Sequence, residues 1–132
     1  MKKPIPFSFV LDELAESLLA RRVRTKAMFG SHAVYVDEKI VFILRSKGDA
    51  KTSPDNGVWV AMLPEHSESV RRDYPILRPI EMFAAKAFTG WLNAPAESDS
   101  FEETALALCG RVIAGDARIG KMIKPKKARK KS

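Results

Sequence analysis

One cysteine, Cys109, and two histidines, His32 and His66, are all that this 132-residue chain has of the residue types that most readily ligate metals or act as nucleophiles. A single cysteine cannot close an internal disulfide, which suits a reducing compartment, so a cytoplasmic location is expected. No second histidine, cysteine or carboxylate stands at metal-ligand spacing from His32, and no cofactor or metal is expected. Gly30, Gly57, Gly90 and Gly120 never fall into a phosphate-cradling pattern, which argues against nucleotide sites of those types. No run approaches the ~18 consecutive apolar residues of a membrane span, so no membrane partner is expected. The amino-terminal apolar run from Ile5 to Leu11 is interrupted by Pro6 and Ser8 and stops at Asp12-Glu13 without a small-residue cleavage site. It reads as part of the folded protein rather than a leader.

The last twelve residues lack any acid, and there the chain is most unusual. Lys121, Lys124, Lys126, Lys127, Arg129, Lys130 and Lys131 account for seven of the 23 basic residues, leaving 16 in residues 1–120 to balance the 16 acids. The net charge of +7 therefore resides entirely in the tail. Hydrophobic residues at 45% and charged ones at 30% are ordinary for a folded domain, and the length fits one. The expected organisation is a single domain over 1–120 followed by a flexible basic tail over 121–132.

Phe7, Leu11, Leu14 and Leu18 recur at the spacing of one helical face, with acids early and Arg21-Arg22 late, predicting a helix from Ser8, as N-cap, to Arg22. Thr25 to Phe29, Ala33 to Val36 and Ile40 to Leu44 are rich in β-branched and aromatic residues and predict an antiparallel meander. Arg45 to Gly57 reads as a solvated loop, Val58 to Met62 as a fourth strand, and Pro64 to Arg72 as a short helix. Ile80 to Phe83 and Ala87 to Leu92 are further strand candidates, the second ending at Asn93-Ala94-Pro95, although Glu81 to Lys86 could equally start a helix. Phe101, Ala105, Leu108 and Val112, after Ser98-Asp99-Ser100, predict a capped helix ending near Gly115, with Leu106, Cys109 and Ile113 widening its apolar stripe. This order describes an α+β two-layer sandwich, an antiparallel sheet with helices on one face.

Met28-Phe29-Gly30, followed by Val34-Tyr35-Val36-Asp37-x-Lys39 and the strand Val58-Trp59-Val60, resembles the amino-terminal domain family of TfoX/Sxy, bacterial proteins associated with competence regulation. The resemblance spans roughly Leu11 to Ile113 and implies a secretion-chaperone-like fold, α-β(3)-α-β(2)-α, related to YjbR/MmcQ-like proteins. It implies no catalytic residues. Met28, Phe29, Gly30, Tyr35 and Asp37 correspond to signature positions of the hairpin and core.

Each reactive residue has a plainer role beside the chemical one. His32 at a strand bend and His66 near a helix start lack partners for proton transfer. Cys109 falls on an apolar helix face, where cysteine packs as a small hydrophobe. Asp37 and Glu38 suit a turn, and Tyr35, Trp59, Phe88 and Trp91 suit sheet packing rather than an aromatic platform. The tail cations are the candidates for non-specific nucleic-acid contact, with a solubilising extension as the plainer role, and Arg21, Arg22, Arg24 and Lys26 could extend the same footprint, although a helix end favours cations for dipole reasons alone. The function expected is a small non-enzymatic adaptor or regulatory domain, holding a protein partner through a sheet face or edge, with a homodimer as a third arrangement. The competing expectation is a ligand-binding or enzymatic pocket around His32, Tyr35 and Trp59.

Overall fold

Three β-prone runs separated by short polar breaks, with no helix-length spacing between them, leave the chain little choice but to pair them as neighbours. In the computed structural model, which describes residues 5–28, 31–46, 55–80 and 90–122, they form β1 (Val23–Met28), β2 (Ser31–Val36) and β3 (Lys39–Arg45). β4 (Gly57–Ala61), β5 (Arg78–Pro79), β6 (Trp91–Pro95) and β7 (Lys121–Met122) complete an antiparallel sheet of order β1-β2-β3-β4-β6-β5, with β7 alongside β3. Helices α1 (Phe9–Ala15), α2 (Ser67–Asp73) and α3 (Phe101–Ile113) supply Val10, Leu14, Val70, Phe101, Ala105, Leu108, Cys109 and Val112 to one core. Against them lie Val34, Val36, Phe42, Leu44, Val58, Val60, Leu92 and Ala94, alternate strand residues of a single sheet face, together with Met62 just after β4. The fold is α+β, helices on one side of an antiparallel sheet. No helix of the described residues is long and apolar enough to cross a membrane.

The opposite face is also apolar at its centre. Ala33, Ile40, Ile43, Trp59, Ala61 and Ile80 form a second buried cluster, with Tyr35 and Trp91 packed against it. A bulge reconciles the two faces in β3. Val34 pairs with Phe42 but Tyr35 with Ile40, so Val41 is the extra residue and both Val41 and Phe42 enter the helix-side core.

Several boundaries differ from the sequence reading. The first helix stops at Ala15, and a separate 3₁₀ turn covers Ala20–Arg22. Ser17 ends it: its hydroxyl donates to the Leu14 carbonyl at 2.7 Å and accepts from the Leu19 amide at 3.0 Å, offering the backbone an alternative to the helix. Leu18 is consequently 95% exposed instead of on the apolar face. Ser8 and Ser100 make no side-chain capping bond, and Leu106 is exposed. The strand read as ending at Asn93-Ala94-Pro95 instead includes those residues, because Gly57 and Val58 pair with Pro95 and Ala94. Arg78–Pro79 pairs as an edge strand, where proline costs no ladder bond. Phe83 and the stretch 81–89, like the loop residues 47–54, lie outside the described residues.

The loop reading fails at Asp55 and Asn56, which are buried. Trp59 Nε1 donates to the Asp55 carbonyl at 2.8 Å, and the Ala96 amide donates to the Asn56 carbonyl at 2.9 Å. Gly57, next in line, has a φ of +147°, and a Cβ there would collide with the Ala94 carbonyl oxygen across the ladder. Gly57→Ala therefore combines a disfavoured backbone with an overlap against main chain, and is expected to cost about 2–3 kcal/mol in urea denaturation.

Candidate nucleic-acid interface

Strand register decides which side chains share the helix-free face. One cross-strand row runs Arg24, Tyr35, Ile40, Lys121 through β1, β2, β3 and β7. A second runs Lys26, Ala33, Ile43, Trp59, Asn93, Arg78 from one sheet edge to the other. Both have apolar or neutral centres and cationic ends. Among the described residues, the charged side chains at strand positions of this face, Arg24, Lys26, Arg45, Arg78 and Lys121, are all cations.

Three of these cations lie over aromatic rings. The Arg24 guanidinium is 5.0 Å from the Tyr35 ring centre, Arg45 is 5.6 Å from that of Trp59, and the Lys121 ammonium is 5.1 Å from that of Trp91. Such contacts hold a charge against apolar surface at a gain of about 0.5–1 kcal/mol where exposed. Burial lowers the Lys121 pKa from its ordinary value. Trp59 is 5% exposed, so its ring is not open for a base to stack on. What this margin offers a polyanion is charge rather than an aromatic platform. Arg78 is already 3.6 Å from the Glu97 carboxylate.

Lys121 is the first residue of the basic run, and the sequence reading placed it in a flexible tail. The structure corrects this. Lys121 and Met122 pair with Ile40 and Lys39, and the Gly120 amide donates to the Ala61 carbonyl at 2.6 Å. Two residues suffice because β4 stops short of this end of β3 and leaves its backbone groups to be paired. Lys124, Lys126, Lys127, Arg129, Lys130 and Lys131 lie outside the described residues.

The proposed trio of His32, Tyr35 and Trp59 does not converge. His32 pairs with Leu44 and shares parity with Val34, on the helix side, whereas Tyr35 and Trp59 belong to the opposite cluster. His32 is within β2 rather than at a bend, and its Nδ1 is buried with no hydrogen-bond partner. His66 Nε2 is 3.8 Å from Glu65. Cys109 is fully buried, its thiol directed at the Val10 carbonyl 3.9 Å away, and burial, reinforced by Glu13, pushes its pKa up to about 12. A thiol so raised is a poor nucleophile at neutral pH. Of the signature positions, Met28 closes β1, Tyr35 is on the helix-free face, and Asp37 takes a left-handed turn conformation at φ +57°. Phe29 and Gly30 lie outside the described residues, as does Phe88. Among the described residues, no group of three His, Cys, Asp or Glu side chains could hold a metal ion.

A cleft the sequence did not reveal lies between the 3₁₀ turn, the β2–β3 turn, the end of α3 and β7. Its volume is about 670 Å³, within the ~300–1,000 Å³ of small-molecule sites. Leu19, Val36, Val41, Val112 and Ile119 are among its apolar lining, and Arg22, Asp37 and Asp116 are among its charged groups. No spacing signal links positions so far apart. Three of its charges are already engaged: Arg22 Nε and Nη2 donate to the Asp37 carboxylate, at 2.9 and 2.6 Å, raising the arginine pKa and lowering that of the acid. Asp116 accepts from Arg118 Nε and Nη2 at 3.1 and 2.9 Å, which holds its carboxyl below the usual range.

A lowered folded-state pKa gives stability above the unfolded carboxylate value and loses it as pH falls through the folded one. Asp116→Asn is accordingly expected to cost on the order of 1 kcal/mol at pH 7, with the difference from the parent shrinking as pH falls below ~4. Urea midpoints across pH 2–7 measure it. No family model, curated protein or solved structure matches this chain.

Proposed function

We propose that the chain is a small non-catalytic adaptor or regulatory domain, of the TfoX-like type its hairpin resembles, that contacts nucleic acid non-specifically through the basic run after Met122. The observation that carries this reading is the position of Lys121. It anchors the start of the run in the sheet, in the same cross-strand row as Arg24. The six later cations follow in sequence from a margin already positive, so the two charge sets can add along one phosphate backbone. The non-catalytic part is supported by the separation of His32 from Tyr35 and Trp59, which leaves no proton-transfer pair at that place.

Fluorescence anisotropy of a labelled random-sequence duplex, titrated at low salt with the whole chain and with residues 1–122, tests the proposal. Binding by the whole chain, strongly weakened on truncation, is expected. Equal binding by both forms would refute it.

A further inference from the structure

We propose that the outer edge of β1 is a docking site for an extended acidic peptide segment, which adds to the sheet as a further strand. Among the described residues, β1 ends the strand order and pairs only with β2. The opposite edge, β5, is two residues long and contains Pro79, which blunts it. β1 has six residues, no proline and a regular register against β2.

Its backbone polarity follows from one bond. The Asp37 amide donates to the Arg22 carbonyl at 2.9 Å, which makes Arg22 and Asp37 the bonded pair just before the ladder. In an antiparallel ladder bonded and non-bonded pairs alternate, so Arg24, Lys26 and Met28 turn their main chain to β2. Val23, Thr25 and Ala27 then direct N–H and C=O outward. Arg24, Thr25, Lys26 and Ala27 are all exposed, although alternate side chains point to opposite faces. Among the described residues the edge therefore stands clear on both sides, and it carries the alternating donors and acceptors that an incoming strand requires.

Charge selects the occupant. Arg24 and Lys26 share one face of the strand, Arg21 precedes it, and residues 23–28 contain no acid. In an antiparallel pairing of two copies centred on Thr25, Arg24 of each would stand opposite Lys26 of the other, and like charges directly opposite are destabilising. The chain's own basic run meets the same repulsion. A segment with Glu or Asp at alternate positions places those acids against Arg24 and Lys26 while its backbone completes the ladder. This site uses the sheet edge rather than residues 123–132; it shares Arg24 and Lys26 with the positive face proposed to meet nucleic acid, and the backbone blocks below, which leave every charge in place, distinguish the two.

The test titrates the whole chain with fluorescent peptides of alternating glutamate and valine, of alternating lysine and valine, and of glutamate alone. Preference for the glutamate–valine peptide is expected, lost in Lys26→Glu. Thr25→Pro removes an amide that β2 does not use and is expected to weaken binding about tenfold or more, while Thr25→Val leaves it unchanged. Should Thr25→Pro fail to fold, peptides N-methylated at every second amide replace it: one methylation parity must abolish binding to the unaltered chain and the other spare it. Equal binding of the glutamate–valine and glutamate-only peptides, indifference to both backbone blocks, or concentration-dependent dimerisation with no peptide binding would each overturn the proposal.

Discussion

Truncation after Met122 is expected to reduce the salt dependence of duplex binding by about five units of logarithmic slope, since each neutralised phosphate contributes ~0.9 and six cations are removed. The same arithmetic sets the sensitivity of the whole chain. Six phosphate contacts lose about 10³-fold in affinity between 50 and 200 mM salt. Truncation should act at low salt much as added salt acts on the intact protein, with no loss of thermal stability. Truncation after Gly120 is a different experiment. It also removes the pairing of Lys121 and Met122 with β3, and its melting temperature should fall. Comparing the two separates the charge of the run from its structural root. A slope unchanged by removal of residues 123–132 would show that phosphate contacts come from elsewhere.

Phe42→Ala is expected to cost about 3–5 kcal/mol, a large share of the ~5–15 kcal/mol that stabilises domains of this size. Phe42 is fully buried in β3, between β2 and β4, and the bulge at Val41 drives both side chains into the same core. With a strand on each side, the backbone cannot collapse to fill the space, so the cavity persists. Leu106→Ala is the control. Leu106 shares the helix that buries Leu108 but is exposed, and its loss should change stability by within about 0.5 kcal/mol. Urea denaturation of both variants provides the comparison, and equal destabilisation would contradict the core assignment.

Much of the element order was legible because each signal was local. The β-branched runs, the polar break at Asp37-Glu38 and the spacing of Phe101, Ala105, Leu108 and Val112 each predict an element that the structure contains. Ser17 defeated the first-helix boundary because its hydroxyl chose backbone partners that apolar spacing does not encode. Asn93, Ala94 and Pro95 looked like a break by residue type, yet they are a strand because β4 supplies their pairing. Tertiary context also reversed the solvated reading of Asp55 and Asn56, whose carbonyls accept from Trp59 and Ala96.

By itself, the sequence determined a chain with one cysteine, a charge-balanced body and its whole excess of charge on the final residues, because composition and local spacing need no partner to be read. Only the tertiary structure decided that His32 faces away from Tyr35 and Trp59, that Arg24 and Lys121 end one row, and that β1 is the edge of the sheet among the described residues. The reason is that side chains alternate along a strand, so pairing register and a single bulged residue determine which positions share a face, and both arise from contacts between distant parts of the chain.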